Sequence, residues 1–161
     1  MKDMKTNRTR IGLETDKSAQ TAKELNVLLA NYQVFYLNTR GYHWNIKGTS
    51  FFELHGKFEE LYTDIQTKID EVAERILTLG HTPVHSYSEY LAYSTVKEAT
   101  NISDGRDAVK GILEALKILI AKERSILSLS ADANDEGSNA LMSDYIREQE
   151  KLVWMYTAYI G

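Results

Sequence analysis

The sequence predicts an all-α fold: a bundle of four helices, with a long connection carrying a short helix between the second and third. Three observations predict it. One proline and nine glycines are too few breakers for a strand-and-turn fold. Apolar residues recur at three- and four-residue steps along four separate stretches. One of these, from Ser50 to Leu79, is periodic without a break for about 45 Å at 1.5 Å per residue, a length that belongs to bundles.

Residues 1–14 read as a flexible basic N-terminal tail, and residues 15–161 as the bundle domain. Lys2, Lys5, Arg8 and Arg10 oppose only Asp3 in the first ten residues. Such a segment is either a solvated terminus or a mobile arm that touches DNA phosphates. The first helix is expected from about Asp16 to about Arg40 or slightly beyond, capped by Thr15 or Asp16, with Leu25, Leu28, Leu29, Tyr32, Phe35 and Tyr36 on one face. Gly41 leaves its end open.

Thr49 or Ser50 caps the second helix, with Glu53 placed for a capping box. Its stripe is Leu54, Phe58, Leu61, Ile65, Ile69, Val72, Ile76 and Leu79, and Gly80 stops it. Residues 80–103 hold Pro83 and a short helix near Ser88–Tyr93. A connection of this length lets the third helix run parallel to the second. Ser103 or Asp104 starts the third helix, which ends near Ser130. After the polar turn 131–139, the fourth helix points Leu141, Tyr145, Leu152, Met155, Tyr156 and Tyr159 inward.

Composition removes several functions. There is no cysteine, which excludes disulfides, zinc–thiolate sites and thiol catalysis. A net charge of −4 argues against wholesale nucleic-acid binding through the body of the protein. No apolar run suits a signal peptide or a membrane span, so a cytoplasmic location is expected.

The chemistry gathers on the second helix. At 100° per residue, with His55 at zero, Glu59 lies at about 40°, Asp70 at about 60° and Glu74 at about 100°. Tyr62 and Gln66 occupy the same strip, which flanks the apolar stripe. His55 and Asp70 are separated by roughly 22 Å of helical rise, while metal–ligand bonds are about 2 Å. One centre therefore cannot use both pairs from the same helix. Either the strip holds two separate half-sites, or a two-fold axis near Tyr62–Gln66 brings His55 and Glu59 of one chain beside Asp70 and Glu74 of another. His43 joins from the end of the first helix. Two imidazoles and three carboxylates suit iron. The Glu-x-x-His motif of intrachain di-iron bundles is absent from the sequence.

His43-Trp44-Asn45, Gly48, Phe52, Leu54, His55, Glu59, the run Asp70 to Arg75 and Leu79-Gly80 together resemble the Dps family, the mini-ferritins. The resemblance extends to Trp154-Met155. It implies a ferritin-like bundle, assembled from two-fold dimers into a hollow dodecamer. It implies a two-iron ferroxidase centre shared between subunits, with His43, His55 and Glu59 from one chain and Asp70 and Glu74 from its partner. Glu59 stands where the family commonly has Asp. The implied reaction oxidises Fe(II), preferably with hydrogen peroxide, and stores ferric mineral, protecting the cell and its DNA. Trp44 either accepts a stray oxidising equivalent or packs at an interface. Asp132, Asp135, Glu136 and Asp144 are candidates for an acidic iron-entry pore or for helix-start caps. Glu60 and Asp64 either nucleate mineral or are solvated. A rival reading is a non-enzymatic protein that compacts DNA through its tail.

Overall fold

The computed structural model describes residues 7–161. Lys2, Asp3 and Lys5 of the expected basic tail lie outside the described residues. The described residues form α1 (Thr15–Asn45), α2 (Phe51–Thr78), a short α3 (Tyr87–Tyr93), α4 (Gly105–Asp132) and α5 (Glu136–Ile160). Helix α1 packs on α2, α3 and α4, and α4 packs on α5. No helix among the described residues is long and apolar enough to cross a membrane.

Within the expected tail, residues 7–14 make backbone hydrogen bonds of their own. The Thr15 amide donates to the Asn7 carbonyl at 3.0 Å, the Thr9 amide donates to Leu13 O at 2.8 Å, and Leu13 packs on the core. One apolar side chain and a tight turn at Gly12 (φ 85°) fold this part of the tail back on itself.

Helix α1 runs straight through Gly41. A glycine costs a helix interior about 1 kcal/mol, but Tyr42, His43 and Ile46 are buried beyond it, and that burial outweighs the cost. The helix stops at Ile46, whose backbone is extended, and the Lys47 amide pairs with Ser103 O instead of continuing the ladder. The result is that His43 is a helical residue with a fixed direction.

Helix α2 lacks the expected capping box. Ser50 sits at φ −95° and ψ 18°, away from the extended conformation that aims a cap side chain at the helix, and its hydroxyl makes no cap bond. The C-terminus is as expected. Gly80 at φ 87° donates to Leu77 O and His81 donates to Ile76 O, the paired bonds of a Schellman motif. Phe58, Val72 and Ile76 of the predicted stripe are completely buried, each contributing about 1.5–3 kcal/mol by burial.

The crossover is stapled to α1 by two asparagines, each with a single oxygen accepting from backbone. Asn31 Oδ1 accepts from the Thr95 and Val96 amides at 2.9 Å, and Asn38 Oδ1 from the Ala99 amide at 2.9 Å. In α5, Met142 and Ile146 are buried while Met155 is 42% exposed, so the inward face is rotated slightly from the one expected.

Candidate metal centre

Two of the expected ligands meet. The imidazoles of His43 and His55 stack with centroids 3.7 Å apart and 17° between planes, and Phe51 stacks on the outer face of His55 at 4.9 Å. The pair is fixed reciprocally. His43 Nδ1 bonds to the backbone oxygen of His55 at 2.7 Å, and His55 Nδ1 bonds to that of His43 at 2.8 Å. A carbonyl only accepts, so both Nδ1 atoms carry the proton and both Nε2 atoms keep a free lone pair. This is the tautomer a metal needs, with the orienting bond already made on the other nitrogen. The His43 carbonyl is free to accept because α1 ends there and the Lys47 amide bonds elsewhere.

Glu59 lies one turn beyond His55 and is exposed, as are Asp70 and Glu74 further along α2. Among the described residues of one chain, no three of the His, Asp and Glu side chains come together in a way that could hold a metal ion. The histidine pair and the Asp70/Glu74 pair share a strip of one helix and are separated along it.

Aromatic and cationic groups surround the histidines. Tyr62 meets His43 edge-on at 5.3 Å. The Arg40 guanidinium lies 4.8 Å from the Trp44 ring, 5.3 Å from Tyr62 and 5.5 Å from Tyr36. Trp44 itself is 58% exposed on the single chain.

The remaining candidates have partners of their own. Asp135 is almost fully buried. Its Oδ1 accepts from Arg75 at 2.6 Å and from the Ser138 amide at 3.0 Å, so it caps α5 and neutralises a guanidinium. Asp132, Glu136 and Asp144 are exposed around the α4–α5 corner, with Asp144 paired to Arg147 at 3.1 Å. Glu60 pairs with Lys57 and Asp64 with Lys68, both at 2.9 Å. With Glu59 they line one open strip of α2 surface.

A buried polar cluster went unread in the sequence. Glu123 of α4 is completely buried and accepts from the Tyr32 phenol and from Gln149 Nε2 at 2.9 Å. Burial pushes its carboxyl up to about 7, against the lowering effect of the Tyr32 and Gln149 hydrogen bonds. Burial, and then Glu123, raises the Tyr32 phenol well above its ordinary value. Beside this cluster, buried Lys68 bonds to Asp64 and Glu148; burial opposes its charge, and the two carboxylates more than offset that. The available signal was position. Glu123 falls four residues after Leu119 and Gln149 four after Tyr145, polar residues at core steps of two helices.

Residues 22–161 match the family model of the ferritin-like domain. The chain is 46% identical over 148 residues to a DNA protection during starvation protein of Porphyromonas gingivalis, covering 92% of this chain and 93% of that one. The structure resembles that of a Dps protein from Vibrio cholerae O1, described as a member of a broad superfamily of ferritin-like diiron-carboxylate proteins. That likeness has a TM-score of 0.95 at 58% identity, over 96% and 97% of the two chains. A Dps protein from Bacillus brevis is similar at TM-score 0.88 and 32% identity, over 91% of this chain and 98% of that one.

Proposed function

The chain belongs to the Dps family of ferritin-like proteins, and on that premise we propose that it oxidises Fe(II) at centres shared between two subunits and stores the ferric product. One observation carries this reading. His43 and His55 are locked in a metal-ready tautomer, while Asp70 and Glu74 lie on the same strip roughly 22 Å away. A two-fold partner running antiparallel along α2 supplies what each half lacks. Two imidazoles with Glu59, Asp70 and Glu74 give a mixed nitrogen and oxygen set for two irons.

Fe(II) is the substrate here and hydrogen peroxide the preferred oxidant. Two Fe(II) ions side by side supply the two electrons that reduce peroxide to water, so no hydroxyl radical need escape. The residues hold the ions, and the reciprocal carbonyl bonds keep both Nε2 lone pairs directed before iron arrives. Trp44, adjacent in sequence to a ligand, is a candidate acceptor of a stray oxidising equivalent.

Assembly into a dodecamer from two-fold dimers is part of this reading. Leu37, Trp44, Phe52, Trp154 and Met155 are 42–88% exposed on one chain, and neighbouring subunits cover them in this reading. For iron entry, Asp132, Glu136 and Asp144 are the exposed acids of the α4–α5 corner, Asp144 with an exposed Arg147 beside it, whereas Asp135 is buried and committed to Arg75. Glu60 and Asp64, on the strip with Glu59, remain the candidates for mineral nucleation. The proposed location is the cytoplasm, and protection of DNA proceeds through iron and peroxide removal.

The test is to load metal-free protein anaerobically with Fe(II) and then add peroxide, following ferric absorbance. Rapid oxidation is expected, with loss of the fast phase in the His43→Ala/His55→Ala double variant. An unchanged fast phase in that variant would sink the proposal.

A further inference from the structure

A row of tyrosines that metal binding does not require runs from His43 into the bundle interior. Tyr62 meets His43 edge-on at 5.3 Å, and Tyr36 meets Tyr62 edge-on at 6.0 Å. Tyr32 follows Tyr36 by one turn on the same face of α1, with about 5–6 Å between Cβ atoms at that spacing. Tyr145 of α5 then meets Tyr32 edge-on at 6.1 Å. The three ring pairs in contact, at 5.3–6.1 Å, are within easy reach of electron hopping, and one helical turn of α1 joins Tyr36 to Tyr32.

The inner end of the row is built differently from the outer end. The Tyr32 phenol donates to Glu123, and Tyr145 donates to Glu71 at 2.8 Å. A phenol that loses an electron becomes a strong acid, so its radical persists only where a base takes the proton. Glu123 is such a base. It is fully buried, and its second oxygen, Oε2, has no hydrogen-bond partner. A buried, incompletely solvated carboxylate gains by taking a proton.

We propose that this row is a relay for one-electron oxidising equivalents, carrying a hole from the histidine end of the site to Tyr32, with Glu123 as the proton acceptor. The source of the oxidant rests on the iron-and-peroxide reading. A single Fe(II) that meets peroxide alone releases a hydroxyl radical. That radical takes one electron through the row and one proton from solvent and becomes water. At Tyr32 the phenolic O–H bond breaks, the electron leaves toward the site, and the proton passes to Glu123, leaving a neutral phenoxyl radical and a neutral carboxylic acid. Arg40 favours this end point over Trp44. A guanidinium 4.8 Å from the indole penalises an indole radical cation, and at 5.3 and 5.5 Å it penalises positive charge resting on Tyr62 or Tyr36, whereas Tyr32, which gives up its proton to Glu123, ends uncharged. Tyr32 is 1% exposed, which keeps the stored radical from diffusing reactants.

The experiment has two arms. In the first, protein carrying ring-deuterated tyrosine receives substoichiometric Fe(II) and then peroxide, is freeze-quenched, and is read by electron paramagnetic resonance while ferric absorbance is followed in parallel. A tyrosyl signal is expected, reduced several-fold in Tyr32→Phe and in Glu123→Gln. In the second arm, azide radicals oxidise the indole of a Trp154→Phe protein without iron, and decay of indolyl absorbance is matched to the rise of phenoxyl absorbance. That transfer is expected to fall several-fold in Tyr32→Phe. Fast iron oxidation with equal tyrosyl yield in wild type and both variants overturns the relay. If wild type oxidises no iron, the functional reading fails and the azide arm alone decides: transfer lost in Tyr32→Phe supports the relay, and transfer unchanged overturns it. Circular dichroism checks folding, and Tyr36→Phe breaks the row from a half-buried position should Tyr32→Phe not fold.

Discussion

Each ring nitrogen of His43 and His55 has a separate job, and the job is assigned by its partner. The backbone carbonyls hold Nδ1–H at 2.7 and 2.8 Å, leaving Nε2 for a metal. Glu123 shows the opposite case, a side chain whose partners leave it short. Its folded-state carboxyl lies at about 7 against an ordinary 4.5. The folded protein therefore binds this proton more tightly than the unfolded chain does. Between those two values the unfolded chain has already released the proton, and stability falls as pH rises; above about 7 it is level, lower by roughly 3 kcal/mol than below 4.5. Glu123→Gln keeps the shape and removes the titration. Melting of wild type and variant at pH 5 and pH 8 is expected to show a larger gain for the variant at pH 8. An equal gain at both pH values would mean that the carboxyl does not titrate differently on folding.

The helices were legible in the sequence where burial followed period, and less so where it did not. The α2 stripe from Leu54 to Leu79 was readable because every member is apolar and the interior side is one-sided. The end of α1 was not, since Gly41 looks like a stop and only the burial of Tyr42, His43 and Ile46 across the bundle carries the helix on. In the sequence Asp135 is a candidate for a pore acid or a helix-start cap, because sequence cannot show that Arg75, on another helix, reaches it. Two functions now meet in that side chain, the cap of α5 and the partner of a half-buried guanidinium. Asp135→Ala is expected to cost about 3 kcal/mol, through loss of the cap and an unpaired Arg75. Asp135→Asn keeps a good capping side chain and is expected to cost less. Denaturant melts of both variants check the order, and equal midpoints would contradict it. Gly137 belongs to the same arrangement. A Cβ there would lie 2.7 Å from the Arg75 guanidinium nitrogens, so Gly137→Ala is expected to displace Arg75 and lower the melting midpoint as well.

At the scale of the whole molecule, helical rise alone separated His55 from Asp70, because 1.5 Å per residue holds for any straight helix. What rise could not supply is the neighbour that brings the two halves together, and this has a quantitative consequence. Take one chain with His43→Ala and His55→Ala, and a second with Asp70→Ala and Glu74→Ala. Each alone forms no complete centre if the site is shared. In a mixed two-fold pair, the intact histidines of the second chain face the intact carboxylates of the first, and one of the two sites is whole. The other carries all four substitutions. Random co-assembly makes about half the pairs mixed, so about a quarter of all sites return. The two chains are unfolded, mixed and refolded together, and the fast phase of Fe(II) oxidation is compared with that of each chain refolded alone. Recovery near a quarter of the wild-type amplitude is expected. A centre contained within one chain gives no recovery at any mixing ratio, because every chain in the mixture is then missing part of its own ligand set.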